Sequence, residues 1–257
     1  TGNFTATIGS NVTIIGNSAF NNINVTSVTI PNHVTTIEAD AFKETSQNGS
    51  FSCIFDGGST LTTIGNNCFK SSGLTTIAIP SSVTTIGTYA FFDTLTGAVT
   101  FGAGSSLTTI EEGCFHSSGL TSIAIPSSVT TLKKRAFQEA SRLGSLSCTF
   151  DAGSSLTTIE LFCFYNSGLH TISIPSSVTT IGNYAFQESP YLATVEIHRY
   201  PNDNTSNPEV YVSPASNGIF NNCNRYNGGV TITIHSDGSD WNVTLGSTNV
   251  DYLRLHY

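Results

Sequence analysis

The chain has 257 residues, of which 38% are hydrophobic and only 10% charged, against roughly 25% charged in ordinary soluble proteins. That is enough apolar material for one long domain or two ordinary ones, with Ser, Thr, Asn and Gly carrying the solubility. A formal net charge of -8 and a pI near 5.0 argue against a nucleic-acid partner, since the one basic run, Lys133-Lys134-Arg135, is too short to neutralise a phosphate backbone. No apolar run approaches the roughly 18–20 residues that span a bilayer. A chain that begins at Thr1 and lacks methionine is expected to be a mature or excised fragment, its signal and any anchor lying outside it.

From Val12 onwards the sequence repeats itself. "VTIIGNSAF" opens a series of the form [VL]-T-T-[IL]-x-x-x-[AC]-F at Val34–Phe42, Leu61–Phe69, Val83–Phe91, Leu107–Phe115, Val129–Phe137, Leu156–Phe164 and Val178–Phe186. Successive starts, counted from Val12, lie 22, 27, 22, 24, 22, 27 and 22 residues apart. Short and long units therefore alternate, and a period in this range is the mark of a solenoid.

Each short unit adds a second phrase, as in Leu74-Thr75-Thr76-Ile77-Ala78-Ile79-Pro80. Leu, Ile and Ile alternate inward with small residues outward, which reads as a strand, and the proline ends its ladder because it has no N–H. Long units replace that phrase with "SFSCIF" (Ser50–Phe55), "TGAVTF" (Thr96–Phe101) and "SLSCTF" (Ser145–Phe150), then turn through Gly and Ser. One unit is thus a strand, a turn, an inward Val and Ile, and a helical or irregular turn carrying Ala/Cys-Phe. It buries about six apolar side chains at roughly 1.5–3 kcal/mol each. That does not offset ordering more than twenty residues at about 1–2 kcal/mol apiece, so the units must stack. Nine or ten rungs at the strand spacing give a body on the order of 45 Å long.

The pattern L-x-x-I-x-I-P-x-x-V-x-x-I-G-x-x-A-F resembles the leucine-rich repeat of BspA-like, or Treponema-type, surface proteins, over roughly residues 12–235. The resemblance implies a right-handed, curved leucine-rich-repeat solenoid, mostly β with short helical turns. It also implies export to the cell surface and adhesion to host or neighbouring cells. The family's cysteine after A-F-x-x is replaced by Thr45, Thr94, Ala140 and Ser189 and survives as Cys223 in "IFNNC".

Chemistry is hard to place on this repeat. Cys68, Cys114 and Cys163 occupy the slot held elsewhere by Ala19, Ala41, Ala90, Ala136 and Ala185, a tight apolar niche. Cys53 and Cys148 sit where other units put inward Ile77 or Val99. Two disulfides, Cys53–Cys68 and Cys148–Cys163, are the sharper alternative. No Cys or His spacing suits a metal, and His116 and His170 read as surface decoration. There is no G-x-S-x-G, no phosphate-binding loop and no dinucleotide fingerprint, so neither catalysis nor a cofactor is expected. Paired threonines such as Thr84-Thr85 form ladders, of which the in-and-out alternation exposes one per pair. A water- or ice-ordering surface is a remote reading of them.

The stretch Glu196–Gly218 breaks the register and gathers the residue types that favour binding. Glu196, His198, Arg199, Tyr200, Asp203, Glu209 and Tyr211 are the candidates there, with Tyr252 and Arg254 near the end of the chain. The outward strand positions, for example Ser122, Ala124, Thr171 and Ser173, form a small, nearly uncharged face. After the insert (198–218), Ile232, Ile234, Leu253 and Leu255 resume the inward alternation, and Trp241 is placed to cap the open sheet. Sequons at Asn3, Asn11, Asn24, Asn48, Asn204 and Asn242 matter in a eukaryotic source. The sequence thus points to one solenoid domain over 1–257, an extracellular recognition or adhesion module for a protein or glycan, with a spacer holding another domain as the alternative.

Overall fold

The structure is a computed structural model that describes residues 4–47, 49–94, 97–141, 144, 146–198, 211–212, 218–220, 223, 230–236 and 239–245, the backbone alone for 211–212, 234–236 and 239–245. Its strands begin with β1 (Phe4–Thr7), β2 (Ile14–Ile15), β3 (Val25–Ile30), β4 (Thr36–Ile37), β5 (Ser52–Phe55), β6 (Thr63–Ile64) and β7 (Ile77–Ile79). They continue with β8 (Thr85–Ile86), β9 (Ala98–Phe101), β10 (Thr109–Ile110), β11 (Ser122–Ile125), β12 (Thr131–Leu132), β13 (Ser147–Phe150) and β14 (Thr158–Ile159). The last are β15 (Thr171–Ile174), β16 (Thr180–Ile181), β17 (Thr194–His198), β18 (Tyr211–Val212), β19 (Val230–Ser236) and β20 (Ser239–Leu245).

Long and two-residue strands alternate along the chain and pair in parallel, unit to unit, into two interleaved series. The long series runs β1-β3-β5, β7-β9-β11-β13 and β15-β17-β19-β20, bridged at its two breaks by Phe51↔Leu74 and Leu146↔Leu169. The short series runs β2-β4-β6-β8 and β10-β12-β14-β16-β18. Register keeps equivalent side chains in columns: Ile15, Ile37, Ile64 and Ile86 follow one another across the short strands. Ile77, Val99, Ile123 and Cys148 do so across the long ones. A parallel solenoid of this kind is what repeated inward residues require. Within the segment expected to be an insert, Tyr211–Val212 pairs with Thr180–Ile181 and so extends the short series. Beyond it, β20 turns back antiparallel on β19, with Trp241 opposite Ile234.

The corner that follows each short strand is not helical, and no described residue is in a helix. Here the expectation of short helical turns is corrected. Two positions per unit take positive φ, the residue before Ala/Cys-Phe and the second residue after it: Asp40 and Glu44 (56° each), Arg135 (59°) and Glu139 (58°), Tyr184 (58°) and Glu188 (61°). The reason is hydrogen bonding between units. Asp40 N–H donates to Asn66 O, Phe42 N–H to Cys68 O and Glu44 N–H to Lys70 O, while Lys43 N–H and Thr45 N–H close local turns on Asp40 O and Phe42 O. A helix would turn every amide onto its own chain and leave neighbouring units unbonded.

Inside each corner stands a phenylalanine, and together these rings form a column through the core. Phe20, Phe42, Phe69, Phe91, Phe115, Phe137, Phe164, Phe186 and Phe220 stack face to face, with centroids 4.9–5.4 Å apart and planes within 16°. Beside them runs a buried column, three residues after the phenylalanine, that is polar in most units (Thr45, Ser72, Thr94, Ser118, Ser167 and Ser189) and holds Ala140 in one. Thr45 Oγ1 donates to Phe20 O, Ser189 Oγ to Phe164 O, and Cys223 Sγ to Phe186 O. Where the slot supplies a small donor to a buried carbonyl, Ser and Thr can stand in for the cysteine of the family pattern.

Candidate ligand-binding face

The outer face of the long strands carries the small residues expected there. Across it Ser122 faces Ser147, Ala124 faces Thr149, and Ser173 faces Glu196, which faces Thr233. Among the described residues no Lys or Arg lies on this face; Lys43, Lys70, Lys133, Lys134 and Arg135 all lie at the phenylalanine corners.

The face is not flat. In each long unit the Gly/Ser loop after the strand stands beside the strand of the next unit and encloses a groove. The first, about 350 Å³, lies between Asp56–Ser59 and Ala78–Ser81 and reaches Phe101. A second, about 420 Å³, begins at Phe101 and the Gly102–Ser105 loop and reaches Thr149 and Asp151. The third, about 700 Å³, begins at Thr149 and the Asp151–Ser154 loop and reaches Thr171, Ser173 and His198. The three are consecutive, and each shares residues with the next.

One residue in each groove escaped the sequence reading. Within the long series, the strands of the short units end in a fully buried isoleucine before proline (Ile30, Ile79, Ile125, Ile174), whereas those of the long units end in Phe55, Phe101 and Phe150, which are only half-buried. The register pairs them, Ile30 with Phe55, Ile79 with Phe101 and Ile125 with Phe150. An aromatic recurring only in long units, where short ones have Ile-Pro, was the available signal.

Of the predicted binding residues, the structure places Glu196 and His198 on β17. His198 Nε2 lies 2.7 Å from Ser173 Oγ and 3.9 Å from Glu196 Oε2, at the rim of the largest groove. Tyr211 is carried by β18, in the other sheet series, paired with Thr180, so it is not on the strand that carries His198. Arg199, Tyr200, Asp203, Glu209, Tyr252 and Arg254 lie outside the described residues.

The six cysteines are free and buried. Burial pushes the thiols of Cys148 and Cys223 up to about 12, and those of Cys53, Cys68, Cys114 and Cys163 well above their ordinary value. They stay protonated, and a protonated thiol is neither a nucleophile nor a metal ligand. The threonine pairs follow the expected alternation in five units and depart from it in two. Thr35, Thr62, Thr108, Thr130 and Thr157 are exposed beside half-buried Thr36, Thr63, Thr109, Thr131 and Thr158, whereas Thr84 and Thr85, like Thr179 and Thr180, are both exposed. Only the second threonine of each pair belongs to the two-residue strand. The hydroxyl of the first is engaged within the ladder: Thr84 Oγ1 donates to Thr62 O, Thr130 Oγ1 to Thr108 O, and Thr179 Oγ1 to Thr157 O. His116 is more than decoration, since it packs edge-on against Phe92 at 5.0 Å.

Comparison with known proteins agrees with this architecture. The model of the BspA type leucine-rich repeat region matches in six copies, over residues 3–104, 62–193 and 108–231. Among solved structures, the pneumococcal vaccine antigen PcpA is similar at 25% identity and a TM-score of 0.60, over 76% of this chain and 55% of that protein. A leucine-rich repeat protein from Bacteroides ovatus is similar at 25% identity and a TM-score of 0.59, over 76% of this chain and 49% of that one. The chain therefore spans about half the length of these relatives. No curated protein matches it. With the family model covering most of its length and its units stacked as that repeat requires, the chain belongs to the BspA-type leucine-rich-repeat family.

Proposed function

We propose that this chain is a non-catalytic recognition module, displayed at a cell surface or secreted, that binds a protein or glycan on a host or neighbouring cell or in its matrix. The observation that carries this is the open face of the long strands. It is uncharged over most of its length and lined with hydroxyls, and it is indented by three consecutive grooves. A stack that served only to hold another domain at a distance would have no need of such indentation. The likeness to a protein described as a vaccine antigen supports exposure to the outside. The segment 199–210, which joins β17 to β18 in the sequence, is a second part of the proposed binding region together with Glu196 and His198.

The test measures binding of the labelled chain to cells and to extracellular matrix. One variant replaces residues 199–210 by a short Gly-Ser linker, retaining β17 and β18. Another carries Thr149→Arg, at an exposed site shared by two grooves. Loss of binding in either, with the melting temperature unchanged, supports recognition. Binding unchanged in both refutes this face and the 199–210 segment as the binding region and leaves the spacer reading in its place.

A further inference from the structure

The three grooves repeat with the solenoid. Each lies one long-short pair of units from the next, about two strand spacings or roughly 10 Å. Together they form a continuous track along the axis, perpendicular to the strands. Each repeat of the track offers the same three elements. A half-buried phenylalanine (Phe55, Phe101 or Phe150) gives a ring edge and part of a face. A Gly-containing loop forms one wall, its glycine at positive φ (Gly58, Gly104, Gly153; 71–72°) with no atom within 4 Å of where a Cβ would stand. Strand hydroxyls and small side chains form the floor. The only described acidic or basic side chains along the track are Asp56, Asp151 and, at its far rim, His198 with nearby Glu196.

From this we infer that the ligand of the face is a neutral, linear glycan lying along the solenoid axis, with one disaccharide per groove. The inference rests on the recognition reading above and specifies its ligand. A sugar ring has an apolar face of C–H groups, which an aromatic side chain accepts, and an equatorial rim of hydroxyls, which Ser, Thr and a carboxylate partner by exchanging hydrogen bonds. A polymer bound across repeats must itself repeat at a matching interval, and an extended β-linked chain advances by about one sugar per rung. An anionic glycan is disfavoured, because the described residues of the track include no Lys or Arg and carry carboxylates. Among the described residues a folded protein partner would find no Trp, Tyr or Arg anchor here, the residues that dominate protein interfaces. Each groove is shallow, so a single disaccharide binds weakly, and affinity comes from linked occupancy of consecutive grooves.

The experiment titrates the whole 257-residue chain with cello-, chito- and manno-oligosaccharides, from disaccharides to hexasaccharides, by calorimetry and by amide chemical shifts. Heparin oligosaccharides and a (Gly-Pro-Pro) repeat peptide are run in parallel. Affinity for at least one neutral series is expected to rise by roughly a hundredfold from disaccharide to hexasaccharide, with shifts along β9, β11, β13 and β15. Thr149→Arg, which lays a long side chain across two groove floors without touching the core, should lower hexasaccharide affinity roughly tenfold or more. Phe101→Ala should do the same, with its melting curve recorded beside it. Affinity independent of length, neutral binding unaffected by Thr149→Arg, or binding of heparin or the peptide alone overturns the glycan assignment. The recognition reading falls separately, when Thr149→Arg and replacement of 199–210 both leave cell and matrix binding intact.

Discussion

Replacing Phe115 by alanine tests the central physical claim, that the units hold one another through the phenylalanine column. Phe115 is fully buried and stacked on both sides, on Phe91 at 5.3 Å and 6° and on Phe137 at 5.3 Å and 16°. Truncating a buried Phe to Ala costs about 3–5 kcal/mol in transfer and cavity terms, and two stacked contacts add about 0.5–1.5 kcal/mol each. A loss of about 4–8 kcal/mol is therefore expected in equilibrium urea unfolding. Phe20 is half-buried and stacks only on Phe42 among the described rings, so Phe20→Ala should cost about half as much. A mid-column gap should also weaken coupling between the units on either side, as in a nearest-neighbour stack. Hydrogen exchange would then accelerate at residues 107–137 more than at either end, and the urea transition would broaden. A loss below about 2 kcal/mol, or equal costs at Phe115 and Phe20, would refute the reasoning.

The buried thiols predict a steep alkaline limit. Their folded values lie above the unfolded one, so their contribution is complete below about pH 9 and is lost progressively as pH rises from there, at about 1.4 kcal/mol per pH unit per thiol, or about 8 for all six. Cys68→Ala, at a site where Ala41 and Ala90 fill equivalent slots, should remove about a sixth of that slope in urea midpoints measured from neutral to alkaline pH; an unchanged slope contradicts the assignment. Glu44, held at a φ of 56°, should be stabilised by about 0.5–1 kcal/mol on change to Gly and destabilised on change to Val, an ordering that thermal melts check. Gly168→Ala would place a Cβ on Ser141 O and 3.0 Å from Gly144 N, whereas Gly57→Ala meets no atom within 4 Å. The first should cost several kcal/mol or prevent folding and the second almost nothing; circular-dichroism melting of the pair that shows no difference refutes the close approach of backbones at Gly168.

The sequence by itself determined the stack. A Val or Leu, an Ile and a Phe recurring at fixed offsets cannot be buried within one unit, so only neighbouring copies can cover them, and the columns Ile37–Ile64–Ile86 follow. Cys53, Cys68 and Cys148 were legible as core for the same reason, each filling a slot occupied elsewhere by an apolar residue. Where conformation depends on the neighbouring unit and not on local pattern, the sequence was silent. The corners became left-handed turns and not helices because Asp40, Tyr89 and Arg135 donate their amides to the next unit, a choice no local propensity records. Thr85 and Thr180 are exposed while Thr63 and Thr158, at the same position of the repeat, are half-buried, a difference the repeated Thr-Thr pattern does not record. Only the tertiary structure decided that Phe55, Phe101 and Phe150 stay half-exposed while Ile79 and Ile125 beside them are buried. Whether an inward-phased side chain is covered depends on the path of the loop that follows, and that path is set by packing against the adjoining unit.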